Sequence, residues 1–292
     1  MQVLAVDVRH ARSFDGAQIA YRVIGKGRPV LCANGLAAGW RAWAPQLEYF
    51  SHSYRFLIWD YRGFCESVSA PAAQAMSEHA LDGLAVVRAE GITRVAVAGW
   101  SMGVGVALEM FRAAPEAFAA LVMVNGTARA PWRGAGGRIG TRLLRHVVVA
   151  AERTPTVAEA LLRRFLAAPD RHRWARRLGL VRRPLDETAL AELGAELATV
   201  APATYLRTLT TWAAHDATDV LQTLDVPTLM IVGEHDPFTP GAMVEEIANR
   251  IGGLELLTLP GAAHCVTLEC AEHVNLRVEK FFREWGYGST PR

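Results

Sequence analysis

Gly99-Trp100-Ser101-Met102-Gly103 is the stretch whose residue types are best suited to chemistry. It forms a G-x-S-x-G string directly after the apolar run Arg94 to Ala98 and opens a helical pattern from Met102 to Ala113. A strand-to-helix turn this sharp crowds the backbone around Ser101. Glycine at 99 and 103 removes the β-carbons that would clash. The serine is then presented at the carboxyl end of a strand, over a helix N-terminus whose N–H groups favour developing negative charge. A serine hydroxyl needs a base to take its proton, and the base needs a third group to fix its tautomer. Such sites order the three along the chain as Ser, then Asp or Glu, then His. Two late segments supply them: Gly233-Glu234-His235-Asp236-Pro237-Phe238-Thr239-Pro240 after the strand pattern 227–232, and Pro260-Gly261-Ala262-Ala263-His264 after 254–259. Both follow strand carboxyl ends, where sheets of this kind place their sites. His264 is the candidate base; Asp236 and Glu234 are the candidate orienting carboxylates.

Other strings carry less. Gly134 to Gly140 spaces its glycines as GxGxxxG with no strand directly before it, which argues against a dinucleotide loop. Gly25-Lys26-Gly27 lacks phosphate-loop spacing. Cys32, Cys65, Cys265 and Cys270 show neither CxxC spacing nor a zinc-like cluster, so they read as free thiols in a reducing compartment. No cofactor and no metal is expected.

The elements that must position these residues follow from periodicity. Eight strand patterns appear: 2–9 and 17–24 as an antiparallel hairpin turning near Asp15-Gly16, then 29–33, 54–59, 94–98, 119–124, 227–232 and 254–259. Runs this apolar fit strands covered on both faces. Helical patterns at 40–50, 77–89, 102–113, 241–250 and 271–285 supply the crossovers that parallel neighbours require. The fold class is α/β: a mostly parallel eight-stranded sheet with helices on both faces. The alternation stops between about Thr127 and Ala217, a stretch too long for a loop. It reads as a helical insertion of short helices interrupted at Pro155, Pro169, Pro184 and Pro202. The expected organisation is a core of 1–126 and 218–292 with an inserted cap of 127–217.

Composition narrows the partners. The 292 residues are 51% hydrophobic with a net charge of +2, which argues against nucleic acid. A mean hydropathy of +0.13 prompts a search for a membrane span, but no stretch approaches the ~20 apolar residues a span needs. The first twelve residues lack a basic segment followed by an apolar one, so a cytoplasmic protein without integral membrane association is expected. The oligomeric state is left open.

With the opening hairpin, GWSMG, GEHDPFTP, GAAH and the insertion after strand 119–124 in place, the chain resembles the α/β-hydrolase fold superfamily. The resemblance spans nearly the whole sequence. It implies a helical cap over the site and favours Asp236 over Glu234 as the orienting acid. It also implies an oxyanion hole from the backbone N–H groups of Leu36 and Met102. The family commonly has a histidine before the glycine of that loop; Asn34 stands there, which implies retuned specificity with the backbone donors kept. The loop Asp60-Tyr61-Arg62-Gly63-Phe64-Cys65-Glu66-Ser67 resembles a common family loop, with Phe64 and Cys65 departing from it, and Asp60 and Arg62 are expected to hold loops together. Ser101 in the nucleophile position argues against the branches that attack with a carboxylate. Asn34, Trp40, Trp100 and Phe238 are the expected substrate neighbours. The implied activity is that of a serine hydrolase, a carboxylesterase acting on a small ester with an apolar acyl or alcohol part. Carbon–carbon bond hydrolysis, thioester or lactone hydrolysis and acyl transfer can use the same groups, and a catalytically silent ligand receptor is a third class.

Overall fold

The computed structural model describes residues 5–67, 74–130, 146, 148, 153–166, 171–185 and 187–288. Eight strands form one sheet: β1 (Val6–Arg12), β2 (Gln18–Gly25), β3 (Arg28–Ala33), β4 (Tyr54–Trp59), β5 (Val95–Trp100), β6 (Phe118–Val124), β7 (Thr228–Gly233) and β8 (Glu255–Leu259). Their order is β1-β2-β4-β3-β5-β6-β7-β8. The pairs β1/β2 and β2/β4 are antiparallel and every other pair is parallel. The hairpin register pairs Arg12 with Gln18, so β1 extends closer to the Asp15-Gly16 turn than the alternation alone indicated.

Why the strands are apolar on both sides is visible in the packing. Leu31, Leu57, Val97, Met123 and Met230 point to one face, with Leu84 and Val87 of α2 (Met76–Ala89) and Val106 and Met110 of α3 (Met102–Ala113). Their neighbours in sequence, Val30, Ile58, Ala96, Val122 and Ile231, point to the other. There they meet Leu47 and Phe50 of α1 (Ala44–Phe50) and Phe281 and Phe282 of a late helix, 271–284. The period-two alternation of a strand delivers both faces at once. Residues 40–50 divide into a 3₁₀ turn, Trp40–Trp43, and α1, with Pro45 in the first turn of α1.

Between β6 and β7 the described residues contain four helices: α4 (Pro155–Leu166), α5 (Arg171–Arg177), α6 (Glu187–Thr199) and α7 (Pro202–Ala214). Breaks between helices fall at Pro155 and Pro202, each of which opens the helix that follows, as befits a residue with fixed φ and no N–H to leave unpaired. Pro184 lies in the link between α5 and α6; Pro169 and the Gly134–Gly140 string lie outside the described residues. The two ends of the segment meet, with an isolated antiparallel bridge between Arg129 and Asp216 and the Ala217 N–H on the Ala128 carbonyl at 2.8 Å. Three helices follow β7: α8 (Gly241–Ala248), α9 (Val266–Glu269) and α10 (Ala271–Glu284). No described helix is long and apolar enough to cross a membrane.

Candidate active site

Ser101 sits where β5 ends and α3 begins, with φ 57° and ψ −119°. A non-glycine residue at positive φ is strained, and the surroundings hold it there. Its N–H donates to the Val124 carbonyl at 2.9 Å, and its carbonyl accepts from Val104 N–H at 3.1 Å. A β-carbon on Gly103 would collide with the Ala33 carbonyl, and one on Gly99 would lie 2.6 Å from the Gly103 carbonyl oxygen. Both glycines of the motif are therefore steric requirements of the turn.

Three loops converge on Ser101. His264, between β8 and α9, places Nε2 3.0 Å from the Ser101 hydroxyl oxygen. Its Nδ1 lies 3.0 Å from each carboxylate oxygen of Asp236, which follows β7. A carboxylate can only accept, so this pairing puts the imidazole proton on Nδ1 and leaves Nε2 to accept from the serine. Asp236 also accepts from Phe238 N–H at 2.9 Å, and its side chain is fully buried. Glu234 is exposed and instead accepts from Gly261 N–H at 2.8 Å. The third loop follows β3. A β-carbon at Gly35 would lie 3.4 Å from that of Ser101, so the peptide leading into Leu36 borders the serine. Met102 is the first residue of α3. Among the described residues no protein acceptor takes the N–H of Leu36 or Met102.

The four expected substrate neighbours divide. Phe238 is half-buried and sets its ring edge-on to His264, centroids 4.9 Å apart. Trp100 lies 5.6 Å from the His264 ring and donates Nε1–H to the His264 carbonyl at 3.1 Å, so its indole holds the His264 backbone. Trp40 is half-buried beneath the Arg41 guanidinium. It lines a cavity of about 490 Å³ between the Gly39–Arg41 turn, Asp60, Cys65 and α6. Ser101, Asp236 and His264 are not among that cavity's walls. Asn34 departs from expectation. It is 1% exposed, donates to the Trp59 carbonyl at 3.1 Å and accepts from Trp43 Nε1–H at 2.9 Å. With its backbone carbonyl also taken by the Tyr61 hydroxyl at 2.6 Å, it fastens the β3 loop.

Asp60 and Arg62 hold loops, as their motif suggested. Asp60 pairs with Arg22 at 2.8 Å; burial pushes its carboxyl up, opposed by that guanidinium. Arg62 reaches Asp82 at 2.7 Å and Asp15 at 2.9 Å. All four cysteines are free thiols; Cys65 is exposed and the other three are buried. No group of three metal-ligating side chains occurs among the described residues.

Sequence reasoning passed over Asn125. It follows β6 at φ 43° and its side chain ties both late loops. Nδ2 donates to the Ala263 and His264 carbonyls at 2.7 and 2.6 Å, and Oδ1 accepts from Gly233 N–H at 2.8 Å. An Asn directly after an apolar strand is the available signal, since Asn tolerates left-handed φ. Glu269, described below, was also missed.

Residues 28–270 match the model of the alpha/beta hydrolase fold family. The chain belongs to that family. A relative from Azorhizobium caulinodans, named "Putative carbamate hydrolase RutD", is 27% identical over 250 residues, 85% of this chain and 88% of its own length. Among solved structures, a thermophilic esterase from Thermogutta terrifontis superposes with TM-score 0.75 at 22% identity, covering 96% of this chain and 99% of the other. The enol-lactonase of Burkholderia xenovorans LB400 gives TM-score 0.76 at 22% identity, covering 94% and 100%. Proteins named for different reactions thus share the fold of this alpha/beta hydrolase, and the fold does not choose among them.

Proposed function

We propose that this hydrolase cleaves carboxylic esters through an acyl-enzyme on Ser101. The observation that carries the reading is the unbroken relay from Ser101 through His264 to Asp236, each step at 3.0 Å. Ser101 Oγ attacks the ester carbonyl as its proton passes to His264 Nε2. Leu36 and Met102 N–H groups receive the oxyanion; preorganised donors of this kind are worth about 3–4 kcal/mol of barrier each. Asp236 holds the imidazole in the tautomer that can accept and stabilises the imidazolium. The imidazolium protonates the departing alkoxide. Water, deprotonated by His264, then attacks the acyl carbonyl and releases the acid and the serine.

Residues 127–217 act in this reading as a cap over the site. The support is its connection: it leaves and rejoins the core at paired ends, and α6 reaches the β3 loop through Glu196, which accepts from Gly39 N–H at 2.9 Å. The half-exposed ring of Phe238 beside His264 favours an apolar group on the substrate.

The relative named for carbamate hydrolysis favours a second reading, a carbamate substrate. The same groups serve it, but nitrogen conjugation makes the carbonyl less electrophilic. Matched aryl esters and aryl carbamates, assayed with the wild type and Ser101→Ala, separate the two. Esters are expected to turn over faster, and Ser101→Ala to abolish both. Exclusive turnover of carbamates would replace the ester reading.

A further inference from the structure

His264 is held by its backbone as well as by its ring. The Leu180 carbonyl, in the link between α5 and α6, accepts from His264 N–H at 3.0 Å and from Cys265 N–H at 3.2 Å. Glu269, the last residue of α9, is 9% exposed and accepts from three backbone groups. Oε1 takes the Ala263 N–H at 3.1 Å, directly before the base. Oε2 takes the Arg182 and Arg183 N–H groups at 2.8 and 2.9 Å. The Arg183 guanidinium adds a bond to the Pro260 carbonyl at 2.6 Å, at the start of the same loop. One buried carboxylate therefore bridges the α5–α6 link and the peptide that sets the position of the base.

We propose that Glu269 is a positioning residue that couples the α5–α6 link to His264, a role that rests on His264 being the base. Three charge-assisted N–H bonds offset the desolvation of the carboxylate and fix its orientation. A displacement of residues 180–183 reaches Ala263 through Glu269 and His264 through Leu180. It thereby changes the 3.0 Å approach of Nε2 to Ser101. Misplacement of a catalytic group by about 1 Å costs roughly 100-fold in rate. The same helical segment holds the oxyanion loop through Glu196 and Gly39, so its placement registers at both ends of the site.

Glu269→Gln tests this, because the amide NH₂ meets N–H donors on one side and must release either Ala263 or the Arg182–Arg183 pair. Glu269→Asp keeps the charge but withdraws it by one methylene, and serves if the Gln variant does not fold. Active sites are counted with a fluorophosphonate, and kcat and KM are measured per labelled site on an aryl ester across pH 5–9. The expected result is a kcat lower by roughly 10- to 100-fold for Gln and by a smaller factor for Asp. KM should change little, and the acid limb of the pH profile should move. Unchanged kcat and pH profile per labelled site in the folded variant would overturn the proposal, whatever happens to thermal stability. A wild type that neither labels nor turns over would instead overturn the esterase reading.

Discussion

His79 offers a test of the fold's electrostatics beside the site. It lies in α2, is fully buried, and neither ring nitrogen has a hydrogen-bond partner among the described residues. Its ring stacks 4.6 Å from that of Tyr61, whose hydroxyl holds the Asn34 carbonyl. Burial, aided by the positive charge of Arg62, lowers its pKa to about 3 from the ordinary 6.5. The folded protein therefore keeps it neutral where the unfolded chain protonates it. Its contribution to stability is intact above pH 6.5 and is lost as pH falls from there toward 3. Each unit is worth about 1.4 kcal/mol, so by pH 4.5 the loss reaches about 3 kcal/mol, a large share of a typical domain's stability. Carboxylates titrate in the same range, so the comparison is made against His79→Leu, which removes this proton alone. Urea unfolding of both proteins at pH 7, 6, 5 and 4.5 gives the difference directly. The expected difference widens in favour of the variant by about 1.4 kcal/mol per unit below pH 6.5. A difference constant from pH 7 to 4.5 would refute the assignment of His79 as a buried neutral base.

Other outcomes follow from the loops. Asn125→Ala removes three buried hydrogen bonds and should cost about 2–4 kcal/mol in urea unfolding and lower kcat; an unchanged unfolding midpoint would show the late loops to be held otherwise. Glu196→Ala leaves Gly39 N–H without its acceptor and leaves Arg41 with Glu192 alone, at about 1–2 kcal/mol after allowing for the exposure of Arg41. Glu196→Gln should recover much of it, because an amide oxygen still accepts from Gly39, and the absence of any such recovery in thermal melts would place the effect in the Arg41 pair.

Much of the architecture was legible because it rests on short-range patterns. Period-two and helical apolar spacing located all eight strands and the longer core helices but not the short α9, with edges moved by a residue or two and more at the first strand. The turn at Ser101 was legible because glycine at 99 and 103 is a steric demand of that turn. Asp236 and His264 could be singled out as residues following strand ends, and the structure sets both in line with Ser101. Asn125 and Glu269 were not, because their roles come from contacts between segments far apart in the chain: Asn125 reaches residues 233, 263 and 264, and Glu269 reaches 182 and 183. The bonds of Asn34 to Trp59, Trp43 and Tyr61 were not legible for the same reason. Prolines 155 and 202 were legible as breaks, because a fixed φ and a missing N–H end one helix and suit the first turn of the next.

Intact mass after incubation with a fluorophosphonate tests the central claim most directly, with peptide mapping to locate the adduct. The expected result is a single adduct on Ser101, absent in Ser101→Ala. A wild type that stays unlabelled, or an adduct that persists in Ser101→Ala, would contradict the assignment of Ser101 as the nucleophile.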